Sequence, residues 1–186
     1  MNHLATVVAL LLLLISQPFA HAFKPEIGET PAPLEKLEYV DGSVFDVASL
    51  IGKPTVLYFG ADWCVPCIER GRPAAVATAN KYGPLGLQVI FVSMDDNRFR
   101  AAKVLESNSL GMRIAMARMD ICPPGKCLNG IRDLGAFGRI YVYPTAIVLD
   151  ANGVVRAKMD RGMGVAAGLD TAAKEVMRSA GLLTNR

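Results

Sequence analysis

One short segment constrains the fold of this chain more than any other: an apolar run followed at once by two closely spaced cysteines. Residues 55–60 read TVLYFG, a β-branched and aromatic run typical of a buried central strand. Trp63-Cys64-Val65-Pro66-Cys67 follows. A helix is predicted to open near Cys64 and to run to about Tyr82, where Gly83-Pro84 stops it. The sequence therefore predicts a strand, a turn with two cysteines and a helix as the central unit.

Strands and helices alternate along the rest of the chain. The predicted strands lie at residues 34–40, 44–47, 87–93, 145–149 and 154–159. The predicted helices lie at residues 97–107, 128–137 and 165–180. Residues 111–120 are ambiguous, with a strand as one reading. Asp41-Gly42 and residues 150–153 are hairpin turns, so the order indicates an α/β fold with parallel pairs and an antiparallel edge.

Length and composition favour a single globular domain. The 186 residues are 52% hydrophobic and 20% charged, which excludes disordered and fibrous classes. The net charge is only +3, from 20 Lys and Arg against 17 Asp and Glu, and no basic run is present. We therefore expect no nucleic-acid partner.

The N-terminus differs in character from the rest. Residues 4–15 are almost entirely apolar, and no charged side chain of Lys, Arg, Asp or Glu precedes Lys24. Ala20-His21-Ala22 has the small-x-small pattern of a cleavage site. The run is short for a transmembrane helix, which needs about 20 residues. We predict a signal peptide at 1–22 and an exported mature domain at 23–186, with an uncleaved membrane anchor as the alternative.

Cleavage would leave a domain without histidine, because His3 and His21 are the 2 histidines of the chain. That excludes Cys–His and Ser–His–Asp mechanisms, histidine metal ligands and haem attachment. All 4 cysteines would remain, in a compartment where disulfides persist.

The spacing of Cys64 and Cys67 suits reversible disulfide chemistry. Two intervening residues in a first helical turn bring the sulfurs within bonding distance, and the helix N-terminus stabilises a thiolate on Cys64. Pro66 has no N–H to lose and fits an early helical position. We predict Cys64 as the nucleophile and the more buried Cys67 as the thiol that resolves the mixed disulfide. A structural disulfide or half of a zinc site is the alternative.

A second element is Tyr143-Pro144-Thr145, at the start of the strand TAIVL. A proline cannot continue a sheet ladder, so Pro144 belongs at the edge of its strand. Beside the Cys64 loop, it would let the backbone of Tyr143 pair with an extended substrate. The alternative is an ordinary proline at a strand entry.

The second cysteine pair encloses four residues, Cys122-Pro-Pro-Gly-Lys-Cys127. We predict a structural disulfide, to which chain entropy assigns about 2 kcal/mol. A second redox-active pair and a metal site are the alternatives.

Other residues suggest metals more weakly. Met112, Met116 and Met119 could supply thioethers to Cu(I), but methionine is more often core filler. Asp95-Asp96 follows a strand and is read as a helix N-cap rather than a metal or phosphate site. No cofactor is expected.

Together these motifs resemble the thioredoxin superfamily, specifically its exported TlpA/ResA-like branch. The resemblance covers roughly residues 28–181. Its carriers are residues 28–33 (GETPAP), 52–54 (GKP), 59–67 (FGADWCVPC), 92–95 (VSMD), 143–145 (YPT) and 150–153 (DANG). It implies a thioredoxin fold, with a central mixed sheet flanked by helices, to which the hairpin predicted around Asp41-Gly42 adds an N-terminal β-hairpin extension. It also implies a cis Pro144 and dithiol–disulfide exchange, and it favours a periplasmic reductase.

The sequence departs from that family pattern close to the cysteines. The departures are Tyr58 in place of a buried Asp, Arg70 and Arg72 in place of a Glu and a Pro, and Val142 in place of a Gly. Glu69 and Pro73 each lie one place away from the position that the branch gives such residues. Glu69 is a candidate proton acceptor for Cys67, and a solvated helix residue is the alternative.

The leading hypothesis is a periplasmic thiol–disulfide oxidoreductase that reduces protein disulfides and is itself reduced by an electron-donor partner in the membrane. A thiol oxidase or isomerase would run the cycle in reverse, and Val65-Pro66 does not settle the direction. A copper-handling binding protein of the same fold is a further alternative.

Overall fold

A computed structural model describes residues 25–31, 37–45, 47–95, 112–117, 140 and 142–184. The predicted signal peptide, the predicted helices at 97–107 and 128–137, and the loop with Cys122 and Cys127 lie outside the described residues. These four features therefore stay predictions.

Six strands form one mixed sheet in the order β1-β4-β3-β2-β5-β6. The strands are β1 (Leu37–Tyr39), β2 (Thr55–Gly60), β3 (Gln88–Ser93), β4 (Arg113–Ala117), β5 (Thr145–Leu149) and β6 (Val155–Asp160). β2 pairs in parallel with β3, and β3 with β4. The pairs β1–β4, β2–β5 and β5–β6 are antiparallel. The predicted α/β class, with parallel pairs and an antiparallel edge, is confirmed.

The N-terminal hairpin is smaller than predicted. Gly42 has a φ of 86°, which favours glycine in the turn, and its N–H donates to the Tyr39 carbonyl at 2.8 Å. Among the described residues, the two arms are linked by an isolated bridge between Glu38 and Val44 and by the Tyr39 N–H, which donates to the Ser43 carbonyl at 2.8 Å. Residues 47–50 form a 3₁₀ helix. On its other edge the first arm pairs with β4, which places the apolar side chains of β1 in the core.

Two helices pack on the same face of the sheet, α1 (Arg72–Tyr82) and α2 (Arg161–Ser179). α2 begins four residues before the predicted start. The sequence pattern missed its first turn, RGMG, because that turn carries no apolar stripe. The stripe begins at Val165 and continues through Leu169 and Ala173, all fully buried. Among the described helices, none combines the length and apolar character needed to cross a membrane.

The central strand β2 separates two core layers. Val56 and Tyr58 face the helices, while Leu57 and Phe59 face the opposite layer, which also contains both cysteines. Every residue of β2 is buried, so the strand is a rigid support. Its last residue, Gly60, leads directly into the cysteine motif.

Candidate active site

Cys64 and Cys67 are joined by a disulfide just beyond the end of β2. Their Cα atoms lie 5.2 Å apart. Cys67 is fully buried, whereas Cys64 is 6% exposed and receives the Cys67 N–H on its sulfur at 3.2 Å. A thiolate on Cys64 would therefore have both a backbone donor and a path to solvent.

A π-helical turn, Cys67–Gly71, begins at the second cysteine and leads into α1. The Cys67 carbonyl accepts the N–H of Arg72, five residues along. A π-turn holds one residue more than an α-turn over the same hydrogen bond. Pro73 follows this turn directly, in the first turn of α1.

Tyr58 stands where thioredoxins carry a buried Asp. It is fully buried, and its hydroxyl donates to the Cys67 carbonyl at 3.3 Å. Burial raises the pKa of the Tyr58 phenol, an effect that the positive charge of Arg72 only partly offsets. Tyr58 is thus a neutral donor at ordinary pH and does not replace a carboxylate as a proton acceptor.

Two glycines make room for the Tyr58 hydroxyl. A Cβ added to Gly71 would lie 2.7 Å from that oxygen and 2.6 Å from Cγ of Pro144, and a Cβ added to Gly60 would lie 2.9 Å from the same oxygen. The π-turn, Tyr58 and Pro144 therefore form one tight contact behind the disulfide.

The Tyr143–Pro144 peptide bond is cis and precedes β5, as the resemblance implied. The ring of Tyr143 packs edge-on against Trp63, with ring centroids 5.8 Å apart and planes at 89°. Trp63 is itself exposed beside Cys64. The structure thus brings the Pro144 segment next to the cysteine motif.

Glu69 is exposed on the π-turn, whereas Cys67 is fully buried. This difference in burial argues against Glu69 as the direct proton acceptor for Cys67. Pro66 is also exposed, within the first turn after Cys64.

Sequence reasoning missed an ion pair beside the disulfide. Nη2 of Arg72 lies 3.4 Å from Oδ1 of Asp62, with the Arg72 side chain 12% exposed and that of Asp62 39% exposed. The Asp62 N–H donates to both carboxylate oxygens of Asp95, at 3.0 and 3.2 Å. In the sequence Arg72 was visible only as a departure from the family pattern.

The metal alternatives gain no support from the described part of the chain. No group of three His, Cys, Asp or Glu residues there could hold a metal ion. Met112 is buried in the core layer that faces the helices. Met119 lies outside the described residues.

Comparison with known proteins gives the family. The Redoxin family model matches residues 27–171. The chain is 31% identical over 129 residues to the thiol:disulfide interchange protein DsbE of Tatumella citrea, covering 68% of this chain but only 61% of that protein. It is 28% identical over 158 residues to DsbE of Vibrio cholerae, covering 77% of each.

A solved structure shows the same fold. The putative thiol:disulfide interchange protein DsbE of Chlorobium tepidum superposes with a TM-score of 0.61 at 22% identity, over 84% of this chain and 99% of that one. Together with the match over residues 27–171, this confirms the resemblance to thioredoxin-superfamily thiol:disulfide oxidoreductases, and the chain belongs to the Redoxin family.

Proposed function

We propose that this chain is a periplasmic thiol–disulfide oxidoreductase that reduces disulfides of other proteins through Cys64 and Cys67. The observation that carries the proposal is the Cys64–Cys67 disulfide itself, formed where a buried strand meets a helical segment. The similarity to two DsbE proteins supports the same chemistry.

The first step is attack by Cys64 on a substrate disulfide. Cys64 is 6% exposed whereas Cys67 is fully buried, and the Cys67 N–H favours a negative charge on the Cys64 sulfur. The Cys64 thiolate forms a mixed disulfide with one substrate sulfur, and the other substrate sulfur leaves and takes up a proton.

The second step is resolution by Cys67. Its thiol loses a proton and attacks the Cys64 sulfur, which releases the second substrate thiol and closes the Cys64–Cys67 disulfide. Two electrons pass from the dithiol to the substrate in the whole cycle. Tyr58 and the π-turn fix the backbone of Cys67, so the attacking sulfur needs little reorganisation.

The substrate is proposed to be protein because apolar side chains border Cys64. Trp63, Val65, Ile68 and Val142 are all exposed on the motif or on the Pro144 segment. Such a border suits an apolar polypeptide segment carrying a disulfide better than a small polar thiol.

Export rests on the predicted signal peptide at 1–22, and the reductase direction rests on the resemblance to the TlpA/ResA-like branch. A reductase in an oxidising compartment needs a source of electrons. We therefore propose an electron-donor partner in the membrane that reduces the Cys64–Cys67 disulfide after each cycle.

The test is reduction of a protein disulfide, such as those of insulin, with dithiothreitol as electron source. Cys64→Ser should abolish the reaction, and Cys67→Ser should accumulate a mixed disulfide through Cys64. A reduction potential near about −270 mV supports the reductase, whereas a value near about −120 mV would overturn the proposed direction. Full activity in Cys64→Ser would overturn the proposed site.

A further inference from the structure

We propose that the ion pair between Arg72 and Asp62 tunes the Cys64–Cys67 disulfide, with Arg72 raising its reduction potential and Asp62 lowering it. This inference rests on the proposed function, because it concerns the same dithiol. It makes both residues positioning and electrostatic groups rather than catalytic residues.

The two charges are fixed to opposite ends of the cysteine motif. Asp62 lies two residues before Cys64 in the loop from β2. Arg72 opens α1, and its backbone N–H donates to the Cys67 carbonyl across the π-turn. Their side chains meet at 3.4 Å, so the pair closes a link between the strand-end loop and the helix.

Each partner is held by further contacts. Asp95 is fully buried and accepts both the Asp62 N–H and the Ser93 hydroxyl, which anchors the loop. The guanidinium carbon of Arg72 lies 5.6 Å from the centroid of the Phe91 ring. Such a cation–aromatic contact holds the guanidinium in the interior.

The two charges differ in exposure, so water screens one of them more than the other. Arg72 is 12% exposed against 39% for Asp62, so water screens the cation less. Within the described part of the chain, the buried Nε of Arg72 makes no hydrogen bond. The guanidinium is thus only partly compensated by hydrogen bonds, and its charge acts to lower the pKa of the Tyr58 phenol, whose hydroxyl contacts the Cys67 carbonyl.

The chemistry converts that field into a redox effect. Reduction adds two electrons and up to two protons to the disulfide, and it leaves a thiolate on Cys64 whenever the pKa of that thiol lies below the pH. A nearby positive charge stabilises the thiolate and therefore the reduced form, while a negative charge destabilises it. Removing Arg72 should make the protein more reducing, and removing Asp62 should make it more oxidising.

Other charged groups near the motif stay unchanged in this comparison. Glu69 and Arg70 are exposed on the π-turn, and the Asp95 carboxylate lies beneath the loop. Tyr58 is neutral, since burial raises the pKa of its phenol.

The experiment equilibrates the full chain with reduced and oxidised glutathione. Two glutathione molecules reduce the disulfide and leave as one glutathione disulfide, so the equilibrium is balanced. Alkylation and peptide mass analysis count Cys64 and Cys67 separately from the other cysteines. Arg72→Gln is expected to lower the equilibrium constant about tenfold, which is about 30 mV, and Asp62→Asn to raise it by a similar factor. The pKa of the Cys64 thiol, followed by thiolate absorbance, should rise in the first variant and fall in the second.

A matched control is Arg156→Gln, which breaks another ion pair, with Asp150 at 2.7 Å. It should leave the equilibrium constant unchanged. Arg72→Lys keeps the charge and should stay close to the wild-type value. Arg72→Met also removes the charge, and it replaces Arg72→Gln in the comparison if that variant does not fold.

Opposite shifts distinguish electrostatic tuning from a simple mechanical link. The pair could act only as a contact that holds the loop against the helix. Arg72→Gln and Asp62→Asn would then remove the same contact and shift the reduction potential in the same direction. A shared direction, or no shift in either variant, overturns the inference. A wild-type chain that does not exchange with glutathione at all would instead overturn the proposed function.

Discussion

Replacing Gly71 with alanine tests the close contact between the π-turn, Tyr58 and Pro144. The backbone of Gly71 is helical, with φ −67° and ψ −48°, so alanine fits the local conformation. On helix propensity alone the change would stabilise the protein by up to about 1 kcal/mol. The added methyl group, however, would meet Cγ of Pro144 at 2.6 Å and the Tyr58 hydroxyl oxygen at 2.7 Å.

The steric term should exceed the propensity term. Extra methyl or methylene groups in a tightly packed site cost about 1–3 kcal/mol, and two overlaps this short place the cost near the upper end. Subtracting the propensity gain leaves a net destabilisation of about 2 kcal/mol. With a urea dependence of about 1–3 kcal/mol per molar, the unfolding midpoint should fall by about 1 M.

Gly83→Ala is the matched control, because Gly83 is also helical and an added Cβ there has nothing within 4 Å. Urea unfolding of both oxidised variants should give changes of opposite sign, with the Gly83→Ala midpoint at or above that of the wild type. Disulfide exchange should slow only in Gly71→Ala, since only that methyl group displaces Pro144. A Gly71→Ala protein as stable as Gly83→Ala would refute the reasoning.

Three further outcomes are expected. Tyr58→Phe should lose about 1 kcal/mol in chemical unfolding and slow the resolution of a mixed disulfide, whereas Tyr82→Phe should leave that resolution rate unchanged; equal rates in both variants would contradict the role of the Tyr58 hydroxyl. Burial raises the pKa of Asp150, but hydrogen bonds from two backbone N–H groups and an arginine hold it below its usual value. The stability this carboxylate contributes should therefore be present above about pH 4 and be lost as the pH falls further, so the difference in unfolding free energy between wild type and Asp150→Asn should shrink in acid. A constant difference across that range would argue against a lowered pKa. Cys122→Ser combined with Cys127→Ser should cost about 2 kcal/mol without changing the potential of the other pair, and a changed potential would assign it a redox role.

The sheet could be predicted well where a strand is buried on both faces. β2 and β5 have the predicted bounds because turn residues flank continuous apolar runs. Residues 111–120 stayed ambiguous because β4 lies between β1 and β3, and those pairings come from distant parts of the chain. The second arm of the hairpin contacts β1 only through an isolated bridge at Val44, on the edge of β1 opposite β4, and the chain turns into a 3₁₀ helix at residue 47. Local pattern does not show where such a short edge pairing ends.

The cysteine pair was visible in the sequence, but its surroundings were not. The spacing of Cys64 and Cys67 already implied a disulfide at a helix start, since that chemistry is local. The π-turn leaves no periodic signal in five residues. The Arg72–Asp62 pair spans ten residues and depends on burial of the guanidinium, which no sequence rule predicts for an arginine on a helix.

The departures around Cys67 form one physically connected set. A phenol is larger than a carboxyl group, so Tyr58 in β2 needs space that a smaller side chain would not need. Gly60 and Gly71 supply that space by lacking a Cβ, and the π-turn moves the helix backbone so that the Cys67 carbonyl can accept both the Tyr58 hydroxyl and the Arg72 N–H. The same turn directs the Arg72 side chain inward to Asp62. A neutral donor at Tyr58 and a mostly buried cation at Arg72 give the segment that carries Cys67 a different charge from that of a buried carboxylate, and this is the physical reason to expect a different redox poise.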